Sequence, residues 1–129
     1  MRNKKNIIRI VFGVIVLAAG ILIIVNQLKS HDVKAFDVSD YQDIIENFPS
    51  DENLGSISDA KDAVKKAETI WIKIYGKNVK KEKPYQVFYD AENEVWLIHG
   101  YLRPNMEGGV ANILIENSTG KVLAVWHEK

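Results

Sequence analysis

Two hydrophobic periods divide the chain. Ala60, Ala63, Val64, Ala67, Ile70, Trp71, Ile74 and Tyr75 recur at intervals of three and four, which places them on one face of a helix. Lys61, Lys65, Lys66, Glu68 and Lys73 fall mostly opposite. Ser56 with Asp59 three positions on is a candidate capping box, with Ser58 an alternative N-cap. Gly76 fits the residue that ends such a helix. Beyond it the period changes to two. Residues 85–90, 95–102, 110–116 and 121–127 read as strands, with Pro84 at the start of the first. Residues 91–94 and 117–120 are hairpin-length connections. A longer loop, 103–109, ends in Gly108-Gly109. Residues 80–83 read as charged and solvated. Within the strands, Val95, Leu97 and His99 face away from Trp96, Ile98 and Gly100, and Val122, Ala124 and Trp126 away from Leu123, Val125 and His127. The expected class is α+β: one main helix packed on a curved four-stranded antiparallel sheet.

A different pattern precedes this module. Residues 10–25 carry no charge, and Ile7 and Ile8 extend the run to nineteen residues if Arg9 is tolerated. Nineteen helical residues span about 28 Å, close to the hydrocarbon thickness of a bilayer. Arg9 can snorkel to the headgroups. Arg2, Lys4 and Lys5 keep the N-terminus cytoplasmic and place the residues after Val25 outside. Cleavage at Ala18-Ala19-Gly20 would leave Ile21 to Val25 greasy at a new N-terminus, so the run reads as an uncleaved signal anchor. The expected organisation is a basic cytoplasmic tail (1–6), a transmembrane helix (7–25), an acidic linker (26–53) and a folded domain (54–129). In the linker Val38, Tyr41, Ile44, Ile45 and Phe48 recur at helical spacing, so a short helix over about 39–47 capped by Ser39 is expected. It would pack as a cap on the domain's edge; the alternative is a partly disordered acidic stalk.

Charge sharpens this division. The chain is formally neutral, yet residues 26–53 hold seven acids against Lys29 and Lys34. No basic stripe interleaves with aromatics, which argues against nucleic acid. The lack of cysteine excludes disulfides, thiol catalysis and a lipidated cysteine.

Candidate chemistry is sparse. His31, His99 and His127 have no partner at metal-ligand spacing. His99 with Asp90 or Tyr101 could form an acid–base pair in a concave sheet, although nothing in the local sequence requires it. Gly108-Gly109 precedes no helix and reads as a turn rather than a phosphate loop. Trp71, Trp96 and Trp126 read as core. No serine stands in a nucleophile context.

Ala67 followed by Ile70-Trp71, Ile74-Tyr75-Gly76, Lys83-Pro84-Tyr85, Val95-Trp96, Gly100, Gly108-Gly109-Val110, Gly120-Lys121-Val122 and His127-Glu128-Lys129 resembles, in order and spacing, the small NTF2-fold immunity proteins of bacterial polymorphic-toxin systems. The resemblance covers about residues 57–129. It implies an NTF2-like cone that neutralises a cognate protein toxin by binding it, without catalysis, cofactor or metal. On that reading the partner-binding residues are His99, Tyr101, Arg103, Asn105, Glu107 and His127, and the anchor puts the encounter at the outer face of the producer's membrane. Two alternatives stand beside it. A PepSY-like envelope regulatory module would share the Gly120-Lys121-Val122 turn and the single anchor. An NTF2-like pocket enzyme would use Asp90 or His99 as base, which needs that group buried in a dry cavity.

Overall fold

The computed structural model describes residues 32–105 and 107–128. The anchor expected at 7–25, His31 and Met106 lie outside them. Among the described residues no helix is long and apolar enough to cross a membrane.

The main helix, α2, spans Ala60–Tyr75, and α1, a shorter one, spans Gln42–Asn47. Asp59 caps α2, its carboxylate accepting from the Asp62 N–H at 2.7 Å. Asp62 reaches back to the Ser58 N–H at 3.0 Å, so the reciprocal cap sits three residues later than Ser56 and uses two aspartates. Gly76, at φ +86°, ends the helix and donates to the Ile72 carbonyl. Residues Lys77–Glu82 then form a 3₁₀ turn with Val79 buried, and Lys80, Lys81 and Lys83 after it are exposed, as the charged stretch was expected to be. Hydrophobic Val79 plugs the space beneath the end of α2.

The sheet has five strands in the order β1-β2-β3-β4-β5: Lys34–Ala35, Gln86–Asp90, Val95–His99, Ala111–Glu116 and Val122–His127. The last four form the expected antiparallel meander. The fifth member, β1, lies parallel to β2 and corrects the four-stranded, purely antiparallel expectation. Two residues are too short to display a period, so no sequence pattern could announce them.

Both faces of the sheet are buried. On one, α2 sets Ala60, Ala63 and Ala67 down close to the strands, and Trp71 fills the remaining depth against Trp96, Ile98 and Ile113. Its indole N–H reaches the Asn112 carbonyl at 3.4 Å. On the other face Val95, Leu97, Leu114, Ala124 and Trp126 are covered by Phe36, Val38, Tyr41, Ile44 and Ile45. These come from the acidic segment, whose Val38–Tyr41 turn and α1 lie across the strands. Asp37 rather than Ser39 caps that turn, accepting from the Ser39 N–H at 2.9 Å. A register shift between Leu114 and Ile115 pairs Ile115 with Val122 but Leu114 with Ala124. The shift turns Val122 to the α2 face while Ala124 and Trp126 keep the other, so the simple alternation expected for β5 breaks at Leu123.

The α2 stripe also stops early. Trp71 is fully buried, but Ile74 and Tyr75 are 52% and 37% exposed. The last turn of the helix runs out over the strand ends, and Tyr75 meets the ring of His127, the last residue of β5, at 5.5 Å.

Candidate functional site

The register gathers one end of the sheet into a rim. Gln86 pairs with His99, His99 with Asn112, Asn112 with Trp126, and Ala111 with His127. The chain leaves β3 here and returns to β4 through residues 100–110. The tail of α2 and the 3₁₀ turn lie beside them.

Glu82 stitches the base of this loop. Its side chain accepts from the Ala111 N–H at 2.8 Å and its carbonyl from the Tyr101 N–H at 2.7 Å. Gly100 donates to the Ala111 carbonyl at 2.9 Å. A Cβ on Gly100 would come within 2.8 Å of the Glu82 Cβ, so glycine is what lets Glu82 lie flat against the strand. Asn112, buried, donates through its amide to the Val110 carbonyl at 2.9 Å. The rim is therefore rigid at its root and exposed at its crest.

A cleft of about 350 Å³ opens at this rim, lined by Tyr41, His99, Tyr101, Leu102, Asn112 and Glu128 among others. His99 stacks on Phe88 at 5.2 Å and its Nδ1 lies 2.8 Å from the Gly100 carbonyl. A carbonyl only accepts, so Nδ1 carries a hydrogen. Burial, then the charges of Glu128 and Asp40, push the Tyr41 hydroxyl up from its ordinary value, so it stays a neutral donor. A second hollow of about 470 Å³ lies under Arg103 and is floored by Val64, Pro84 and Val87. Beside it Tyr85 donates to Glu68 at 2.7 Å, and Lys83 pairs with Glu68 at 3.0 Å. Partial burial pushes the Glu68 carboxyl up, but these two donors outweigh it and hold it below the usual range.

Of the residues expected at the site, His99 is half-buried in the cleft; Tyr101, Arg103, Asn105, Glu107 and His127 are exposed. All six lie at this one end or on its loop. Arg103 reaches the Lys83 carbonyl at 3.4 Å. The residues that build the rim, Glu82, Tyr41 and Asn112, carry no motif; only register could bring them there.

The His99–Asp90 pair, one of the two acid–base pairs that the sequence allowed, does not form. Asp90 pairs with Val95 at the far end of the hairpin, whereas His99 pairs with Gln86 at the rim. Asp90 is buried and its carboxylate is filled by the Val38 N–H, the Asn93 amide and the Asn93 N–H at 2.9–3.0 Å. Those bonds, the Val38 one foremost, hold it below the ordinary carboxylate range. It staples backbone rather than taking up protons. Among the described residues no three His, Asp or Glu side chains stand together as metal ligands.

Among curated proteins and among solved structures there is no significant match to the chain. A family described as NTF2 fold immunity protein does match, over residues 62–129. That span is just over half of the 129 residues and contains nearly all of α2, the rim and β2 to β5. The chain belongs to the NTF2-fold immunity protein family.

Proposed function

We propose that this protein is a membrane-anchored immunity protein that neutralises a bacterial toxin by binding it, without catalysis. The family match across α2 and the sheet is the observation that carries this reading. Residues 7–25 anchor it as a single span with the N-terminus cytoplasmic and the folded domain outside. Support for the anchor is the uncharged run of residues 10–25 behind Arg2, Lys4 and Lys5.

The cleft and loop of the rim form the toxin-docking surface, with His99, Tyr101, Arg103, Asn105, Glu107 and His127 as contacts. Tyr101 and Leu102, 37% and 40% exposed, supply apolar contact area on a rigid root. Binding there occludes the toxin rather than transforming it. Asp90, one of the two bases that a catalytic reading would use, is already spent as a backbone staple.

Co-expression with the toxin encoded beside this gene tests the reading. Cells carrying the protein should survive toxin induction, and a Tyr101→Ala, Arg103→Glu variant of unchanged stability should protect at least about tenfold less, as expected when a buried anchor worth more than about 1.4 kcal/mol is removed. Equal killing with and without the protein defeats the proposal.

A further inference from the structure

The tail of α2 and the turn after it form a crest distinct from the cleft. Exposed Ile74 and Tyr75 are followed by Lys77, Lys80 and Lys81, all exposed and none in a salt bridge among the described residues. The acid of that stretch, Glu82, is turned onto the Ala111 N–H instead. Other acids near this end are Glu68, which feels the charge of Lys80 but is paired with Lys83, and Asp32, Glu107 and Glu128, on the tether, the loop and the cleft. The far end differs: the turn after β2 carries Glu92 and Glu94 and β4 ends in Glu116, against the single exposed lysine Lys121.

The tether comes in beside the crest. Since β1 runs parallel to β2, the chain preceding Lys34 lies at the end where β2 starts. Asp32 lines a cavity of about 260 Å³ with Pro84, Tyr85 and Tyr101, and the Tyr101 N–H donates to the Glu82 carbonyl. Between Val25 and Asp32 stand six residues, with Lys29 and no acid among them. Six residues reach about 20 Å at most. If residues 7–25 span the bilayer, the start of the domain stays within about 20 Å of the hydrocarbon boundary, close enough for this end to touch the headgroups.

On that reading of the anchor, we infer that the crest of Ile74, Tyr75, Lys77, Lys80 and Lys81 rests on anionic phospholipid headgroups, holding the rim at the membrane surface. Tyrosine and isoleucine at the water–lipid boundary with lysines in the phosphate layer is the chemistry such a surface takes. The acidic far end then points away from the like-charged bilayer. The cleft, on the sheet's other face, stays open to a toxin approaching along the membrane.

The absence of cysteine makes the test direct. Asn78→Cys on the crest and Glu92→Cys at the far end, each in the full-length chain, take a fluorophore, and the proteins are reconstituted in vesicles bearing headgroup-quencher lipid. With phosphatidylglycerol present, the label at position 78 should be quenched at least about threefold more than that at 92. Changing Lys77, Lys80 and Lys81 to Gln in the Asn78→Cys protein should abolish the difference, at about fivefold in docking constant per lysine. Pure phosphatidylcholine or high salt should do the same. Alkaline carbonate separates the two ideas. Equal quenching at 78 and 92 in a carbonate-resistant protein overturns the docking and leaves the anchor standing. Extraction by carbonate overturns the anchor and the docking with it. Crest lysines shielded from an amine reagent only when toxin is added would assign them to the protein partner and overturn the lipid assignment.

Discussion

Replacing Asp90 with alanine tests how the second layer is attached. Asp90 is 4% exposed. One oxygen takes the Val38 N–H and the Asn93 side-chain amide, both at 2.9 Å; the other takes the Asn93 N–H at 3.0 Å. Val38 begins the turn that leads α1 across the sheet. Alanine leaves two backbone donors without their acceptor. A hydrogen bond to a charged group contributes about 1.5–3 kcal/mol. Asn93, in an exposed turn, recovers most of its share from water, so the expected loss is about 2–4 kcal/mol. Against a domain stability of about 5–15 kcal/mol that is a large fraction. Urea unfolding of the full-length protein in micelles reads it through Trp71, Trp96 and Trp126, which sit on both faces of the sheet. At a slope of about 1–1.5 kcal/mol/M the midpoint should fall by about 2 M. Asp90→Asn keeps one acceptor oxygen and should lose about half as much.

The pH dependence carries its own sign. The folded carboxyl lies below its ordinary value, so its contribution is complete above the unfolded pKa of about 3.9 and is lost as pH falls through the folded value. The gap between wild type and Asp90→Asn should be flat from pH 7 to about 5 and close below about pH 4. A midpoint for Asp90→Ala within about 0.5 kcal/mol of wild type refutes the staple, that being the range of inconsequential surface changes.

Glu82→Ala should destabilise by about 1–3 kcal/mol, because Ala111 is fully buried and its N–H loses its acceptor; Glu82→Gln should recover most of this in the same urea assay. Failure of glutamine to rescue would assign the effect to charge instead of the hydrogen bond. Gly120→Ala should cost about 3 kcal/mol or more by thermal unfolding, since φ is +73° and a Cβ would meet the Gly55 backbone; a near-neutral result would mean that the turn can open.

One distinction separates the features that the residues announced from those they hid. Local periods revealed α2 and the four long strands, because burial on one face repeats every 3.6 or 2 residues. Trp71 fits that logic and is buried; Ile74 obeys the same period and is exposed, because a stripe cannot say where the sheet beneath it ends. The pairing of β1 and the hydrogen bond from Val38 to Asp90 are contacts between distant segments, and the break at Leu123 is a slip in pairing that no period of two can signal. So is the rim: His99 and His127 could be placed on strands, but their meeting with Tyr75, Glu82 and Tyr41 at one end is a matter of register. Asp90, considered as a base, shows the same limit. Its partner Val38 lies fifty-two residues away and no local pattern links them.

The acidic segment before α2 has a consequence for how the protein could meet a toxin. Its residues Val33, Phe36, Val38, Tyr41, Ile44 and Ile45 pack on the core. Glu52 and Leu54 then continue along the edge of β5, the Glu52 carbonyl accepting from Val122 and the Leu54 N–H donating to Gly120. A chain bound so often to the sheet adds no length to a tether. Were residues 26–53 an extended stalk, their reach would be about 90 Å and the domain could sample space far above its attachment. With the packing observed, only six residues are left to link the domain to the expected span. If residues 7–25 are the proposed anchor, interception is confined to the membrane, and lengthening residues 26–31 with a Gly/Ser insert of about twenty residues separates the two pictures. If interception depends on the short tether, the longer chain protects less while its urea midpoint is unchanged; full protection would show that the domain works wherever it is held.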